Sequence, residues 1–218
     1  MTRVQPPDGR PHASAPRTVD DAAVRSAKIL LRRAVALRRD LRSDEARRTD
    51  DANRFAVLRH QLAGRRPRTV AAYLSAGSEP GTLQLVAWLA SQDIPVLLPV
   101  LTGDDGTSAL REPVWARFAG ADALRIGRYA ILEPTTAPEP PGALERADLI
   151  ICTGSAANAA GDRLGRGAGW YDRALRQAGP GADIWLLLND DEVLEAIPTQ
   201  PWDRRVTALV TPTRFISC

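Results

Sequence analysis

The sequence predicts one α/β domain, built as an open, mostly parallel sheet flanked by helices and preceded by an N-terminal helical pair. Two patterns support this: short apolar runs alternate with segments of helical apolar periodicity, and two such helical segments stand together near the start. The 218 residues, 44% of them hydrophobic, suit a single globular domain. Residues 1–19 are rich in Pro and Arg and lack a signal-peptide core, so we expect a disordered leader before a domain at 20–218.

The helical pair is predicted from capping residues and from apolar residues at steps of three and four. Asp20 and Asp21 can cap a first helix that runs to about Leu41. Ser43 can begin a second helix, which Gly64 ends.

The rest of the chain alternates strands and helices, so the sheet is expected to be mostly parallel. Ligands of such sheets collect outside the carboxyl ends of the strands, where the loops after residues 74 and 153 and the segment 197–204 would meet. An irregular stretch is expected at 119–141. The predicted elements are strand 69–74, helix 83–91, strand 94–100, a β segment at 113–118, strand 147–153, helix 170–176, strand 183–188, a brief helix at 192–197 and strand 206–211.

The strongest functional signal is the loop at residues 161–173, Gly-Asp-Arg-Leu-Gly-Arg-Gly-Ala-Gly-Trp-Tyr-Asp-Arg. Glycines leave main-chain N–H groups accessible, and a loop between a strand and a helix N-terminus offers those groups to an anion. The pattern matches neither the P-loop nor the strict dinucleotide fingerprint. Phosphate binding is the favoured reading, and a flexible connection is the alternative.

Basic residues near the start suggest a second contact with an anion. Lys28 is the only lysine in the chain, and Arg32 follows it by four residues on the same helical face. A lysine kept in a chain that otherwise uses arginine suggests that a compact, flexible ammonium is needed at that position. The alternative is that a single lysine persists by chance. Arg166, set between glycines, is suited to lie over phosphates.

Three carboxylates are candidate ligands. Asp172 follows the glycine loop and can hold Mg²⁺ against phosphate oxygens, or can simply complement a helix dipole. Asp203 could reach the same ion or be an ordinary turn residue. Glu79 could accept from an amino-substituted heterocycle or cap a turn. Trp170 and Tyr171 could stack on a planar ligand or belong to the core.

Composition excludes several classes of function. The first 68 residues carry 17 of the 29 Lys and Arg and 8 of the 26 Asp and Glu, but no nucleic-acid motif accompanies them, so solvated helix faces are the favoured reading. Two histidines make histidine-based acid–base or metal chemistry a poor hypothesis. Cys152 and Cys218 suggest no structural disulfide, which fits a cytoplasmic protein. No apolar run reaches the length of a membrane helix, and we expect no membrane partner.

The loop closely resembles the R-L-G-x-G-x-G-Y-Y-D signature of the 5-formyltetrahydrofolate cyclo-ligases, also called methenyltetrahydrofolate synthetases. The likeness extends over roughly residues 22–213. Four more segments fall in the family's order, and they are Ala27-Lys28-x-x-x-Arg32, Tyr73-Leu74-Ser75-x-x-x-Glu79-x-x-Thr82, Gly127 to Leu132-Glu133-Pro134, and Pro201-x-Asp203-x-x-Val206 with Thr211-Pro212.

The resemblance implies a ligase that uses ATP and Mg²⁺ on a reduced folate. ATP would phosphorylate the N5-formyl oxygen to give an iminium phosphate, N10 would attack the activated carbon, and phosphate would leave as 5,10-methenyltetrahydrofolate forms. Arg166 and Lys28 would be the catalytic residues, and Asp172 and Asp203 would hold Mg²⁺. The folate would contact Leu74, Glu79, Arg166, Trp170 and Tyr171, and ATP would contact Lys28, Arg32, Arg163, Leu164, Gly165, Arg166, Gly167, Ala168, Gly169, Trp170 and Tyr171.

The chain departs from the family pattern in places. The family's P-G-x-x-F-D before the loop is Thr153-Gly-Ser-Ala-Ala157-Asn158, so an aromatic residue and an acid are missing. Trp170 replaces a Tyr, and Trp202 stands where a His or Asn is usual. These changes keep open the alternative of a diverged relative that binds folate or nucleotide without turnover. The arginine-rich first third of the chain leaves a second alternative, a module associated with nucleic acid. We expect a monomer.

Overall fold

The computed structural model describes residues 19–103, 105–200 and 202–218. The predicted leader therefore lies, apart from Val19, outside the described residues. The α-helices are α1 (Val19–Asp40), α2 (Asp44–Leu62), α3 (Leu83–Ser91) and α4 (Trp170–Ala174). The strands are β1 (Val70–Ala71), β2 (Val96–Thr102), β3 (Ala109–Arg117), β4 (Leu124–Ile126), β5 (Leu132–Pro134), β6 (Leu149–Thr153), β7 (Ala156–Ala157), β8 (Arg163–Leu164), β9 (Asp183–Leu187), β10 (Ala208–Val210) and β11 (Phe215–Ser217).

A seven-stranded sheet organises the fold, with the strand order β11-β10-β9-β6-β1-β2-β3. The five inner strands, β10 to β2 in that order, run parallel, and the edge strands β3 and β11 are antiparallel to their neighbours. This confirms the predicted fold class. Separate two-stranded ribbons pair β4 with β5 and β7 with β8.

Both faces of the sheet are covered, which explains why its central strands are apolar throughout. In β6, Leu149 and Ile151 pack with residues of α2 and α3, while Ile150 and Cys152 pack on the opposite face. Successive side chains of a strand point to opposite faces, so a continuous apolar run fills both layers.

The helical pair is present as predicted, and buried arginines attach it to the sheet. The Ser43 side chain accepts from the Ala46 N–H and so caps α2. Arg39 of α1 donates to both carboxylate oxygens of Glu192, at 2.6 and 2.7 Å. Arg54 of α2 donates to the main-chain oxygen of Leu188 at 3.1 Å. These contacts fix α1 and α2 over the carboxyl ends of the strands. Among the described helices, none has the length and apolar character needed to cross a membrane.

Several sequence-based boundaries were wrong. The stretch 119–141, expected to be irregular, contains the β4–β5 hairpin, whose three-residue strands are too short to show periodicity. The brief helix expected at 192–197 is instead a 3₁₀ turn over Asp190–Glu192. The strand expected at 113–118 begins at Ala109, because the preceding polar loop is a shorter hairpin turn. Strand β11 was not expected, and β1 pairs over only two residues.

Candidate active site

A cavity of about 650 Å³ opens where the chain leaves the carboxyl ends of β1, β2 and β6. This is the position that the parallel sheet predicts for a ligand. Of the residues predicted from the sequence to form the site, those that line this cavity are Leu74, Glu79, Arg163, Arg166, Ala168, Gly169, Trp170, Tyr171 and Asp172.

Glu79 is held in a fixed orientation inside the cavity. Its side chain is 5% exposed, and one carboxylate oxygen accepts from the Ala76 N–H at 2.9 Å. The other oxygen accepts from the Thr153 hydroxyl at 3.0 Å and lies 2.6 Å from Nη1 of Arg166. The pairing joins the loop after β1 to the glycine loop. It leaves a buried carboxylate beside a half-exposed guanidinium, which suits a polar heterocycle that both donates and accepts.

The glycine loop has a conformation that only glycine adopts readily. Gly167 has φ +105°, and a Cβ there would lie 3.6 Å from the Arg32 guanidinium, which packs across the loop. Arg32 donates from Nε to the Gly165 carbonyl at 2.7 Å. Within the described part of the chain, the main-chain N–H groups of residues 166–169 donate to no protein atom, so they remain available to an anion.

Asp172 lies in the first turn of the short helix α4 and forms an ion pair with Arg163. The Arg163 side chain is 2% exposed, and its Nε has no hydrogen-bond partner among the described residues. A buried guanidinium with a free donor is an incomplete site, because an unmet N–H inside a protein is costly. Arg163 lines the first cavity and also a second one of about 530 Å³.

The second cavity brings in the remaining charged candidates. Asp203 lines it together with Gln200, and Lys28 of α1 reaches both: Nζ lies 2.5 Å from Asp203 Oδ2 and 3.2 Å from Gln200 Oε1. Gln200 was not predicted from the sequence. Its Nε2 has no partner among the described residues, so it offers a further donor.

Arg32 connects the two groups of charges. Burial lowers the pKa of its guanidinium below the ordinary value, while the negative charges of Asp172 and Asp203 act in the opposite direction and the charge of Arg163 adds to the lowering. Both carboxylates are therefore close enough to Arg32 to affect it electrostatically. Lys28, Arg32 and Arg163 alternate with the two acids in one cluster, whose positive excess favours a polyanion.

The donors fit a magnesium ion that arrives with phosphate. Over residues 19–103, 105–200 and 202–218, no three His, Cys, Asp or Glu side chains are grouped so as to hold a metal by themselves. Mg²⁺ usually binds one or two carboxylates and completes its shell with waters and substrate phosphates. Asp172 and Asp203 match that requirement.

Trp170 and Tyr171 both line the cavity and pack on the core. The Trp170 ring packs edge-to-face with the rings of Trp115 and Tyr171, with ring centroids 5.2 and 4.9 Å apart. Burial raises the pKa of the Tyr171 phenol well above its usual value, and its hydroxyl has no partner among the described residues. The two alternatives for this pair, ligand platform and core, are therefore compatible. Leu164, by contrast, is buried against Val35, so its side chain cannot contact ATP and only its main chain remains for that role.

Two residues that depart from the family pattern make hydrogen bonds of their own. Thr153 supplies the hydroxyl that binds Glu79. Asn158 accepts from the Ala160 and Asp162 N–H groups at 3.1 and 3.0 Å, and donates to the Asp162 carboxylate at 3.0 Å. The turn before the glycine loop thus keeps an amide paired with an acid. Trp202 is exposed.

Sequence reasoning missed part of the cavity wall. Arg128, Tyr129 and Arg173 line it, as do Tyr73 and Thr153. The signal that could have located the first two was the Gly127–Pro134 segment, which the resemblance identified without giving it a role.

Comparisons with known proteins agree with the loop motif. The model of the 5-formyltetrahydrofolate cyclo-ligase family matches residues 19–212. A 5-formyltetrahydrofolate cyclo-ligase of Mycolicibacterium smegmatis is 36% identical over 163 residues, which are 73% of this chain and 82% of that protein. The Escherichia coli K12 protein of the same name is 30% identical over 154 residues, covering 67% and 79%.

A solved structure supports the same conclusion. The Aquifex aeolicus 5,10-methenyltetrahydrofolate synthetase superposes with a TM-score of 0.73 at 26% identity, over 87% of this chain and 92% of that one. The Mycoplasma pneumoniae 5,10-methenyltetrahydrofolate synthetase, at 18% identity and a TM-score of 0.66, shares the fold. The family expected from the glycine loop is confirmed, and this chain belongs to the 5-formyltetrahydrofolate cyclo-ligase family.

Proposed function

We propose that this chain, as a 5-formyltetrahydrofolate cyclo-ligase, works by holding ATP and a reduced folate on the two sides of Arg163. This assignment rests on two ion pairs that line the same cavity, Glu79 with Arg166 and Asp172 with Arg163. In the reaction the formyl oxygen on N5 attacks the γ-phosphorus of ATP and ADP leaves. N10 then attacks the formyl carbon and gives up its proton, and that carbon loses phosphate to give 5,10-methenyltetrahydrofolate.

The nucleotide is assigned to the side that holds α1. From α1, Arg32 donates to the Gly165 carbonyl of the glycine loop, and Lys28 pairs with Asp203 in the second cavity. The main-chain N–H groups of residues 166–169, which follow Gly165, have no partner among the described residues. Phosphate oxygens accept from these donors and compete with Asp172 and Asp203 for the cations. The two carboxylates would then be free to hold Mg²⁺. When bound, Mg²⁺ supplies neutralisation of the phosphate charge.

The pterin is assigned to the first cavity, beside Leu74 and Glu79. The buried Glu79 carboxylate accepts from the amino and ring N–H groups of the heterocycle, and Trp170 and Tyr171 form the wall behind it. Arg166 connects the two substrates, because it is paired with Glu79 and sits in the loop that holds phosphate. Its charge stabilises the phosphoryl oxygens during transfer.

We also propose that the protein is a monomer in the cytoplasm, with residues 20–218 folding as one domain. Cys152 is buried and Cys218 is exposed, and both are free thiols, which fits a reducing compartment.

The proposal is tested by incubating the purified protein with 5-formyltetrahydrofolate, ATP and Mg²⁺ and recording methenyl absorbance together with ADP release. We expect one ADP for each methenyl group formed. Folate binding without ADP release would instead identify a non-catalytic relative. DNA binding that weakens steeply with salt, and no turnover, would support the nucleic-acid alternative.

A further inference from the structure

The hairpin formed by β4 and β5 carries a strained turn at the edge of the cavity. Tyr129 and Ala130 have φ +58° and +57°, a conformation that residues other than glycine seldom adopt. Two such residues in succession strain the backbone, and strain of this kind concentrates at binding sites. Tyr129 is 75% exposed yet lines the cavity, so burial of its ring does not explain the turn.

Buried contacts maintain the turn. Glu133, 0% exposed, accepts from the Leu101 N–H and the Thr102 hydroxyl, each at 3.0 Å. The Thr102 hydroxyl oxygen in turn accepts from the Arg128 N–H at 2.9 Å. A Cβ on Gly127 would lie 2.2 Å from the Glu133 carboxyl carbon, so only glycine fits there. This explains the Gly127 to Glu133-Pro134 segment, and it gives Glu133 a positioning role.

The turn presents a guanidinium whose charge is not neutralised within the cavity. Four arginines line the cavity; Arg163 and Arg166 are paired with its two carboxylates. Among the described residues, the Arg128 side chain donates only to the Thr107 carbonyl, at 2.5 Å, and its Nε is buried without a partner. Its guanidinium lies 5.4 Å from the centre of the Tyr129 ring, which holds it in place while leaving donors free.

The position of this cation matches the shape of the substrate. Glu79 follows β1, whereas the hairpin is joined through Glu133 to Leu101 and Thr102 at the end of β2, so Glu79 and the hairpin reach the cavity from two different strands. In a folate, the glutamyl group is at the opposite end of the molecule from the pterin. With the pterin at Glu79, we expect the glutamyl group to extend toward the hairpin. Carboxylates bound there would meet a guanidinium, which is the side chain best suited to them.

We propose that Arg128 binds a carboxylate of the folate's glutamyl tail, and that Glu133, acting through Thr102, holds the turn in the orientation this requires. The proposal rests on the assignment of the pterin to the first cavity. It extends that assignment, because it predicts that the charge of the tail contributes to substrate affinity.

The test compares 5-formyltetrahydrofolate with its α,γ-diamide, which has nearly the same size but no tail charge. Arg128→Gln should raise KM for the natural substrate about 10-fold or more, the effect of losing a charge-assisted hydrogen bond, and leave kcat nearly unchanged. It should not alter KM for the diamide. For the natural substrate, KM of Arg128→Lys should fall between those of the wild type and Arg128→Gln. Arg111→Gln, an exposed change on β3 outside the cavity, is the matched control.

Equal effects of Arg128→Gln on both substrates, or no effect on either, would overturn the proposal. Calorimetric binding of the two compounds without ATP repeats the comparison independently of turnover. If wild-type protein binds both compounds but forms no methenyl product, the proposed function is wrong. The calorimetric comparison of the two compounds then still shows whether Arg128 binds the glutamyl tail. If Arg128→Gln does not fold, Arg128→Lys provides the same comparison.

Discussion

Lys28 Nζ lies 2.5 Å from Asp203 Oδ2, and this ion pair joins the first helix to the segment that precedes the last parallel strand. The two side chains are 8% and 16% exposed. Two buried charges that neutralise each other at the edge of a cavity are well placed to exchange partners when an anion and a cation arrive together. Arg163 and Asp172 form a second such pair on the other side of the loop. The charges that we propose for the nucleotide site are therefore held in place by one another.

Replacing Lys28 should weaken ATP binding. We expect Lys28→Met to raise KM for ATP about 10-fold or more, since about 1.4 kcal/mol of binding energy accompanies each factor of ten. The measurement is the initial rate of methenyl formation against ATP concentration. Arg25→Gln, an exposed change on the same helix, is the control. An unchanged KM for ATP would remove Lys28 from the nucleotide site.

Asp172→Asn should separate metal binding from helix capping. A neutral amide is a poor Mg²⁺ ligand and leaves the Arg163 charge unpaired, so we expect activity to fall about 100-fold or more and the Mg²⁺ concentration for half activity to rise. A Mg²⁺ titration of the rate measures both. Asp122→Asn, an exposed acid in a short 3₁₀ helix, should behave as wild type. Normal turnover and an unchanged Mg²⁺ requirement in Asp172→Asn would reassign this residue to the helix dipole.

Breaking the pair of Arg39 and Glu192 should cost stability. Burial lowers the pKa of Arg39, but the hydrogen bond and charge of Glu192 more than offset this and raise it. Glu192→Gln removes that compensation and should reduce the free energy of unfolding by about 3 kcal/mol. Urea denaturation is the measurement. The exposed pair of Arg146 and Glu139 is the comparison, and Arg146→Ala should change stability much less. Similar losses for the two variants would contradict the tethering role.

The fold class could be predicted from the sequence because alternation of strands and helices is a local signal. The caps of α2 and the run of β6 follow directly from neighbouring residues. The β4–β5 hairpin could not be predicted in this way, because it is held by a buried carboxylate of β5 whose partners lie on β2, outside the hairpin. Glu133 binds Leu101 and Thr102, residues about thirty positions earlier, and no local pattern reveals such a contact.

The site, like the fold, has parts that follow from local sequence and parts that depend on distant contacts. The glycine loop is contiguous, so its composition alone indicated an anion-binding segment. The pairing of Glu79 with Arg166, or of Lys28 with Asp203, depends on the order of strands in the sheet. The sequence also does not show which charged side chains pair with each other. In the fold, each of the two predicted magnesium ligands forms an ion pair with a cationic side chain. Those partners become apparent only when the strands are in place.

Asn158 and Asp162 share one turn, in which the amide of the first donates to the carboxylate of the second. This hydrogen bond, followed by that of Arg205 and its charge, lowers the pKa of Asp162, although burial acts against it. A carboxyl whose pKa is lower in the folded state stabilises the fold above its unfolded pKa of about 3.9, and that contribution is lost as the pH falls through the folded value. The turn precedes the glycine loop, so its stability affects the site.

Asn158→Asp should therefore destabilise the protein at neutral pH, because two carboxylates would face each other without the bridging amide. We expect a loss of about 1–3 kcal/mol near neutral pH that shrinks toward pH 4, as protonation of one carboxyl restores a donor. Urea denaturation at several pH values measures it. Adding Asp162→Asn exchanges the two roles and should recover most of the loss, since an amide again faces an acid, and only the exposed pair with Arg205 is given up. A double variant no more stable than Asn158→Asp would show that the turn depends on the identity of each residue and not on the pairing of an amide with an acid.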